Sequence, residues 1–148
     1  MIFDKVIFDI ETTITADKIW CIICKHNNTY YQFKEDRLNR FEEFIKKTKE
    51  IIGHNIIGFD IPVLNKYFGY DLFKNWGEKL YHKKTEFDIF DKFSEEMLKY
   101  CRNDVNLTEK LYNFLCKKMT DFGESIALAH KVAKIIQRQH EKGFLIDV

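Results

Sequence analysis

The chain has 148 residues, 45% of them apolar and 14 of them Phe, which excludes a disordered tail and favours one folded domain. Its 24 Lys and Arg against 23 Asp and Glu leave a net charge of +1, which argues against a large basic surface that holds long stretches of nucleic acid by counterion release. No run is long and apolar enough to span a membrane and the first residues lack a signal peptide's basic start and apolar core, so a cytoplasmic protein is expected.

Residues 5–11 (KVIFDIE) alternate with a period of two. Val6, Phe8 and Ile10 fall on one face of a strand, and Ile7, Asp9 and Glu11 on the other. Two carboxylates on a partly buried face are costly unless something positive lies between them, and Mg²⁺ is commonly held by one or two carboxylates plus substrate phosphate. Taken alone, Asp-x-Glu fits a solvated strand end better. A turn-rich stretch leads to a second strand over residues 18–25 (KIWCIICK), where Cys21 and Cys24 form a C-x-x-C. Three positions apart on a strand, they point to opposite faces, which sets aside a shared zinc ion or a redox pair. All four cysteines, Cys21, Cys24, Cys101 and Cys116, are therefore read as reduced core residues. His26-Asn27-Asn28 reads as a hairpin turn into a third strand over residues 29–34, completing an antiparallel meander.

Leu38, Phe41, Phe44 and Ile45 recur at helical spacing and predict an amphipathic helix over residues 36–49, followed by a short buried strand at Ile51 and Ile52. Pro62 suits the first turn of a helix over residues 60–68. Between that strand and that helix lies His54-Asn55-Ile56-Ile57-Gly58-Phe59-Asp60. Asp60 alone reads as a helix cap, which leaves the Asn55 amide and the Phe59 ring unexplained. Residues 70–91 are aromatic and irregular. A long helix runs from the N-cap Ser94 to Lys118 and carries Tyr100-Cys101-Arg102-Asn103-Asp104, with Tyr100 and Asp104 one above the other on one face. A last helix over residues 125–142 is closed by Gly143. Its stripe of Ile126, Ala129, Val132, Ala133 and Ile136, widened by Leu128 and Ile135, suggests burial against more than one neighbour. Strands first and helices later, with one helix leading back into a strand, give an α/β class with a mixed sheet.

In their order along the chain, Asp-x-Glu, Asn-x₃-Phe-Asp and Tyr-x₃-Asp resemble the three motifs of the DnaQ-like, or DEDD, 3′→5′ exonucleases. Tyr in the third motif is similar to the DEDDy subgroup, which includes the proofreading domains of family A DNA polymerases. The likeness is closest to the short-tailed-phage branch over residues 8–12, 53–64 and 95–111, and residues 131–147 look like the segment joining exonuclease to polymerase palm. The resemblance implies a ribonuclease-H-like fold, a central mixed sheet flanked by helices. It implies Asp9, Glu11, Asp60 and Asp104 as ligands of two divalent cations, Mg²⁺ or Mn²⁺, roughly 3.5–4 Å apart. Tyr100 and Glu11 would orient the attacking water, and the products would be 5′-mononucleotides. Thr12, Asn55 and Phe59 match positions that contact the substrate's terminal nucleotides, whereas His54 is read as structural.

On this resemblance residues 1–118 are the exonuclease core and 119–148 a helix similar to the connection to a palm domain. The expected substrate is a single-stranded or frayed DNA 3′ end, and the expected partner a family A polymerase domain in the same or a separate chain. The location would be cytoplasmic, in a host's cytoplasm if phage-encoded. Only 40 positions separate Asp60 from Tyr100, fewer than in phage polymerase relatives, with the difference near residues 68–72; substrate grip and the number of strands are the features it touches. DNA over RNA rests on resemblance alone, so a stand-alone 3′→5′ exoribonuclease is the alternative enzyme. A catalytically silent polymerase accessory domain is the alternative of another class, and the intact set of four acids with Tyr100 argues against it.

Overall fold

The computed structural model describes residues 2–69, 92–119 and 123–143. Among these, four strands form one mixed sheet in the order β3-β2-β1-β4: β1 is Phe3–Thr12, β2 Ile19–His26, β3 Thr29–Lys34 and β4 Thr48–Ile52. β2 runs antiparallel to β1 and to β3, while β4 runs parallel to β1. The β2–β3 hairpin turns on Asn27-Asn28 between the paired residues His26 and Thr29, with Asn27 at φ 53°, a left-handed conformation that Asn tolerates.

The alternation in β1 sorts the two faces as its sequence requires. Val6, Phe8 and Ile10 join Ile22, Cys24 and Ile51 in a core covered by α1 (Leu38–Ile45) and α2 (Asp60–Phe68). Much of the phenylalanine content gathers there: the Phe44 ring centroid lies 4.5 Å from Phe3, 4.8 Å from Tyr31 and 5.4 Å from Phe33. Such pairs add about 0.5–1.5 kcal/mol each beyond the area they bury. On the opposite face, Ile7, Cys21, Ile23 and Ile52 meet Met97, Leu98, Cys101 and Val105 of α3 (Glu95–Lys118). Cys21 and Cys24 thus do lie on opposite faces, and all four cysteines are free thiols. The fold is α/β, a mixed sheet with helices on both faces.

Two elements differ from expectation. The helix expected over residues 36–49 is a 3₁₀ turn, Glu35–Arg37, followed by α1, which ends at Ile45. Thr48 explains the early stop: it pairs with Phe3 across the sheet, and its buried hydroxyl donates to the Phe44 carbonyl at 3.2 Å. One residue thereby adds a second hydrogen bond to a carbonyl of the last turn, which also accepts the Lys47 N–H at 3.1 Å, and starts β4. The expected short strand is accordingly longer at its start. The α2 and α3 boundaries agree with the sequence, Ser94 Oγ accepting the Met97 N–H at 3.1 Å as the cap of α3.

The later helices sit unevenly on the sheet. The fully buried apolar side chains of α3 all lie in its first part, and beyond them Tyr112 packs half-buried against the same cluster. Further along, Lys25 donates to Glu109 at 2.6 Å and to Asn106 at 3.1 Å, and the Lys5 ammonium lies 4.4 Å from the Tyr112 ring centroid. Leu107 and Phe114 stay exposed, as does Cys116, which is therefore not a core residue. In α4 (Gly123–Lys142) the line of lower exposure runs through Ile126, His130, Ala133 and Gln137. Leu128, Val132, Ile135 and Ile136 remain 62%, 45%, 55% and 49% exposed. Among the described residues the broad apolar stripe is thus left open, and the line of lower exposure lies about one residue round from it, centred on His130, 4% exposed. α4 begins two residues earlier than expected and ends at Gly143, φ 68°, whose N–H donates to the Gln139 carbonyl. Among the described residues no helix is long and apolar enough to cross a membrane.

Candidate metal centre

β1 and β4 are parallel, so their carboxyl ends open at the same edge of the sheet, where open α/β sheets commonly place ligands. Their pairing stops at Ile7 and Ile52, while β1 continues to Thr12 against β2 alone. The chain leaving β4 turns sharply at Gly53. A Cβ there would collide with Cγ2 of Ile56 and lie 3.1 Å from the Phe8 carbonyl oxygen, so only glycine lets the loop pass this close to β1. The loop is then closed by its own backbone: Asn55, at φ 56°, accepts the Phe59 N–H at 3.0 Å, and Ile56 accepts that of Ile61 at 2.8 Å. Ile56 and Ile57 are buried and anchor it.

This loop places three of the expected site residues. Asn55 is half-buried, and its side-chain oxygen lies so near Gly58 that a Cβ there would come within 2.5 Å of it. Phe59 is half-buried against the first core cluster. Asp60 is the first residue of α2 rather than its cap, and it is 2% exposed. Burial of a carboxylate at a helix N-terminus combines the favourable end of the helix dipole with loss of solvation, so neighbouring groups must supply the balance.

Asp9 and Glu11 are 4% and 7% exposed. Opposite Ile23 and Cys21 respectively, they occupy the face that α3 covers, and they are more deeply buried than the sequence suggests. Just past them a register shift between Glu11 and Thr12 ends the regular ladder. Thr12 is half-buried and donates its hydroxyl to the Thr13 carbonyl at 2.8 Å. Thr13 then ties the following loop by accepting the N–H groups of Asp17 and Lys18 at 3.3 Å each.

From α3, Cys101 meets Asp9 directly. Its thiol lies 3.5 Å from the Asp9 carbonyl oxygen and 3.7 Å from Asp9 Oδ2. One ligand atom each from Asp9, Glu11 and Cys101 lies within 4.8 Å of the other two. Burial pushes the Cys101 thiol well above its usual pKa, reinforced by a hydrogen bond with Cys21 and by the negative charge of Asp9 and Glu11. The hydrogen of the thiol lies within reach of both Asp9 and Cys21.

The remaining expected residues sit on one flank of α3. Arg102, stacked 4.5 Å from the Tyr30 ring, together with Asn106 and Glu109, marks the flank over β2 and β3. With 3.6 residues per turn, Tyr100 and Asp104 fall on the opposite flank, on the β4 side of the sheet. Asp104 is about 60° round the helix and about 4.5 Å along it from Cys101. Both residues are half-buried. Among the described residues, Asp60 and Asp104 stand outside the tight group formed by Asp9, Glu11 and Cys101.

The two carboxylates of the group are donors that suit a divalent cation. Asp9 and Glu11 offer adjacent carboxylate oxygens, and Oε1 of Glu11 is buried with no hydrogen bond to that atom, although the residue is engaged by other groups. Sequence reasoning took Cys101 for core. Its helical phase with Met97, Leu98 and Val105 does place it on the sheet-facing stripe, but only the topology shows that Asp9 lies beneath. Compared with known proteins, the chain matches no protein-family model and no curated protein.

Proposed function

We propose that the chain is a metal-dependent 3′→5′ exonuclease of the DEDDy kind with a ribonuclease-H-like fold, acting on single-stranded or frayed DNA 3′ ends. The observation that carries this reading is the Asp9–Glu11 pair, two carboxylates buried side by side at the carboxyl end of β1 with α3 across them. Burying like charges together is costly unless cations offset it. Asp9 and Glu11 would hold two divalent cations with Asp60, at the start of α2, and Asp104, on α3. When bound, those cations supply Lewis-acid polarisation of the phosphate and a more acidic attacking water.

The chain's own groups do the rest. The Tyr100 phenol and the Glu11 carboxylate orient the attacking water. Asn55, Phe59 and the backbone at Thr12 hold the terminal nucleotide by hydrogen bonding and stacking. The closed loop after Gly53 keeps Asn55, Phe59 and Asp60 at fixed spacing from one another, and fixed spacing is where much of the rate in such reactions originates. Proofreading beside a family A polymerase domain, in the same or a separate chain, is the role this reading entails.

The test is to incubate the chain with 5′-labelled single-stranded DNA, or matching RNA, in Mg²⁺ or Mn²⁺. A stepwise ladder on DNA is expected, abolished by EDTA. Asp9→Ala should slow it at least about a hundredfold, equivalent to about 2.7 kcal/mol of transition-state stabilisation. Faster digestion of RNA would move the substrate class to RNA. Undiminished cleavage in excess EDTA, or no ladder on either strand with either metal, would refute the reading.

A further inference from the structure

Cys101 is the one thiol of α3 that is buried, and it is aimed at a carboxylate rather than at hydrocarbon alone. Its sulfur stands within hydrogen-bond range of both the main-chain oxygen and Oδ2 of Asp9, two acceptors on one residue 92 positions away in sequence. An aspartate in mid-strand has two side-chain torsions to settle. A donor fixed on a packed helix and shared between the carbonyl and Oδ2 favours one setting of both. The sulfur is itself immobilised, since Met97, Leu98 and Val105 hold the same stripe of α3 against Ile7, Cys21 and Ile23.

We infer that Cys101 is a positioning residue: its S–H fixes the Asp9 carboxylate in the orientation that receives a divalent cation. This role rests on the function proposed above. A group that orients a metal ligand through a hydrogen bond commonly governs metal affinity by 10–100-fold when removed. The alternative is a cysteine that merely fills space, and it makes a different prediction for substitutions that separate volume from hydrogen bonding.

The experiment measures Mn²⁺ affinity by electron paramagnetic resonance of the unbound ion, in the full chain and in Cys101→Val, Cys101→Ala and Cys101→Ser. Circular dichroism establishes that each variant is folded. Valine fills the space without a donor, alanine removes both, and serine keeps a donor. Val and Ala should weaken Mn²⁺ binding by about 10–100-fold, whereas Ser should stay within about threefold of wild type. Digestion by the Val and Ala variants should recover as Mn²⁺ is raised. If valine unfolds the chain, the contrast between alanine and serine decides. Folded Val or Ala variants with wild-type affinity, or a Ser variant as impaired as Ala, would overturn the role while leaving the nuclease reading intact. A wild-type chain that binds no Mn²⁺ would overturn both.

Discussion

Gly53 is where the fold and the candidate centre meet, and Gly53→Ala tests that junction. The new methyl would overlap Cγ2 of Ile56 and crowd the Phe8 carbonyl at 3.1 Å. Neither neighbour can yield easily. The Phe8 oxygen belongs to the inner strand β1, and Ile56 is β-branched, 1% exposed and packed in the first core cluster. Overpacking of this kind costs typically about 1–3 kcal/mol. For a chain of this size a loss of about 2 kcal/mol lowers the melting temperature by about 4–8 °C. Urea unfolding should show a lower midpoint with an unchanged slope. A double-mutant cycle then isolates the cause. Ile56→Ala alone should cost about 2–5 kcal/mol through the cavity it opens. In the double variant the methyl introduced by Gly53→Ala has that space to occupy, so the combined loss should be smaller than the sum by about 1–2 kcal/mol. Additivity to within about 0.5 kcal/mol, or a Gly53→Ala variant as stable as wild type, would refute this account of the turn.

Tyr100→Phe removes one hydroxyl and should keep measurable nuclease activity with near-normal Mn²⁺ affinity, while Asp104→Ala should lose both; equal loss of metal binding in the two variants would contradict their assigned roles. Ser94→Ala deprives the Met97 N–H of its acceptor and should cost about 1 kcal/mol in urea unfolding, whereas Ser94→Asp should not. The Lys25 pKa is raised, first by its hydrogen bond to Glu109 and against the pull of desolvation. A raised folded-state pKa means that the stabilisation is complete below lysine's ordinary value of 10.5 and is lost as pH climbs through the higher folded value. The stability gap between wild type and Lys25→Gln should therefore be flat from about pH 7 to about 10 and shrink above that. A gap that closed near about pH 8 would show that the ion pair is not its source.

Local patterns made much of the framework legible. The period-two run in β1 assigned Asp9 and Glu11 to one face, the C-x-x-C spacing put its sulfurs on opposite faces, and Ser94 and Gly143 marked helix ends. Each of these depends on neighbours within a few residues. What was not legible depends on partners far away in sequence. β4 starts at Thr48 because Phe3 is there to pair with it, although Thr48, Lys49 and Glu50 look like the end of a helix. Gly53 reads as an ordinary turn glycine until the Phe8 carbonyl is seen beside it. Cys101 passes for a core residue until Asp9 lies beneath it, and the phase of α4 turns on His130, a residue that hydropathy alone would leave outside.

The uneven docking of α3 has a consequence for how the molecule breathes. Separating its first three turns from the sheet would uncover Met97, Leu98, Cys101 and Val105, all buried, so amide protons there should exchange only when most of the fold opens. Along residues 106–118 the large apolar side chains Leu107 and Phe114 already face water, and the attachment is mainly polar, through Asn106 and Glu109, with Tyr112 the one half-buried ring on the core. Fraying of that part exposes little hydrocarbon, so its amides exchange through small local openings. The boundary between the two regimes falls just after Asp104 and Val105. The far end of the helix can therefore open and close repeatedly while Cys101 keeps its hold on Asp9.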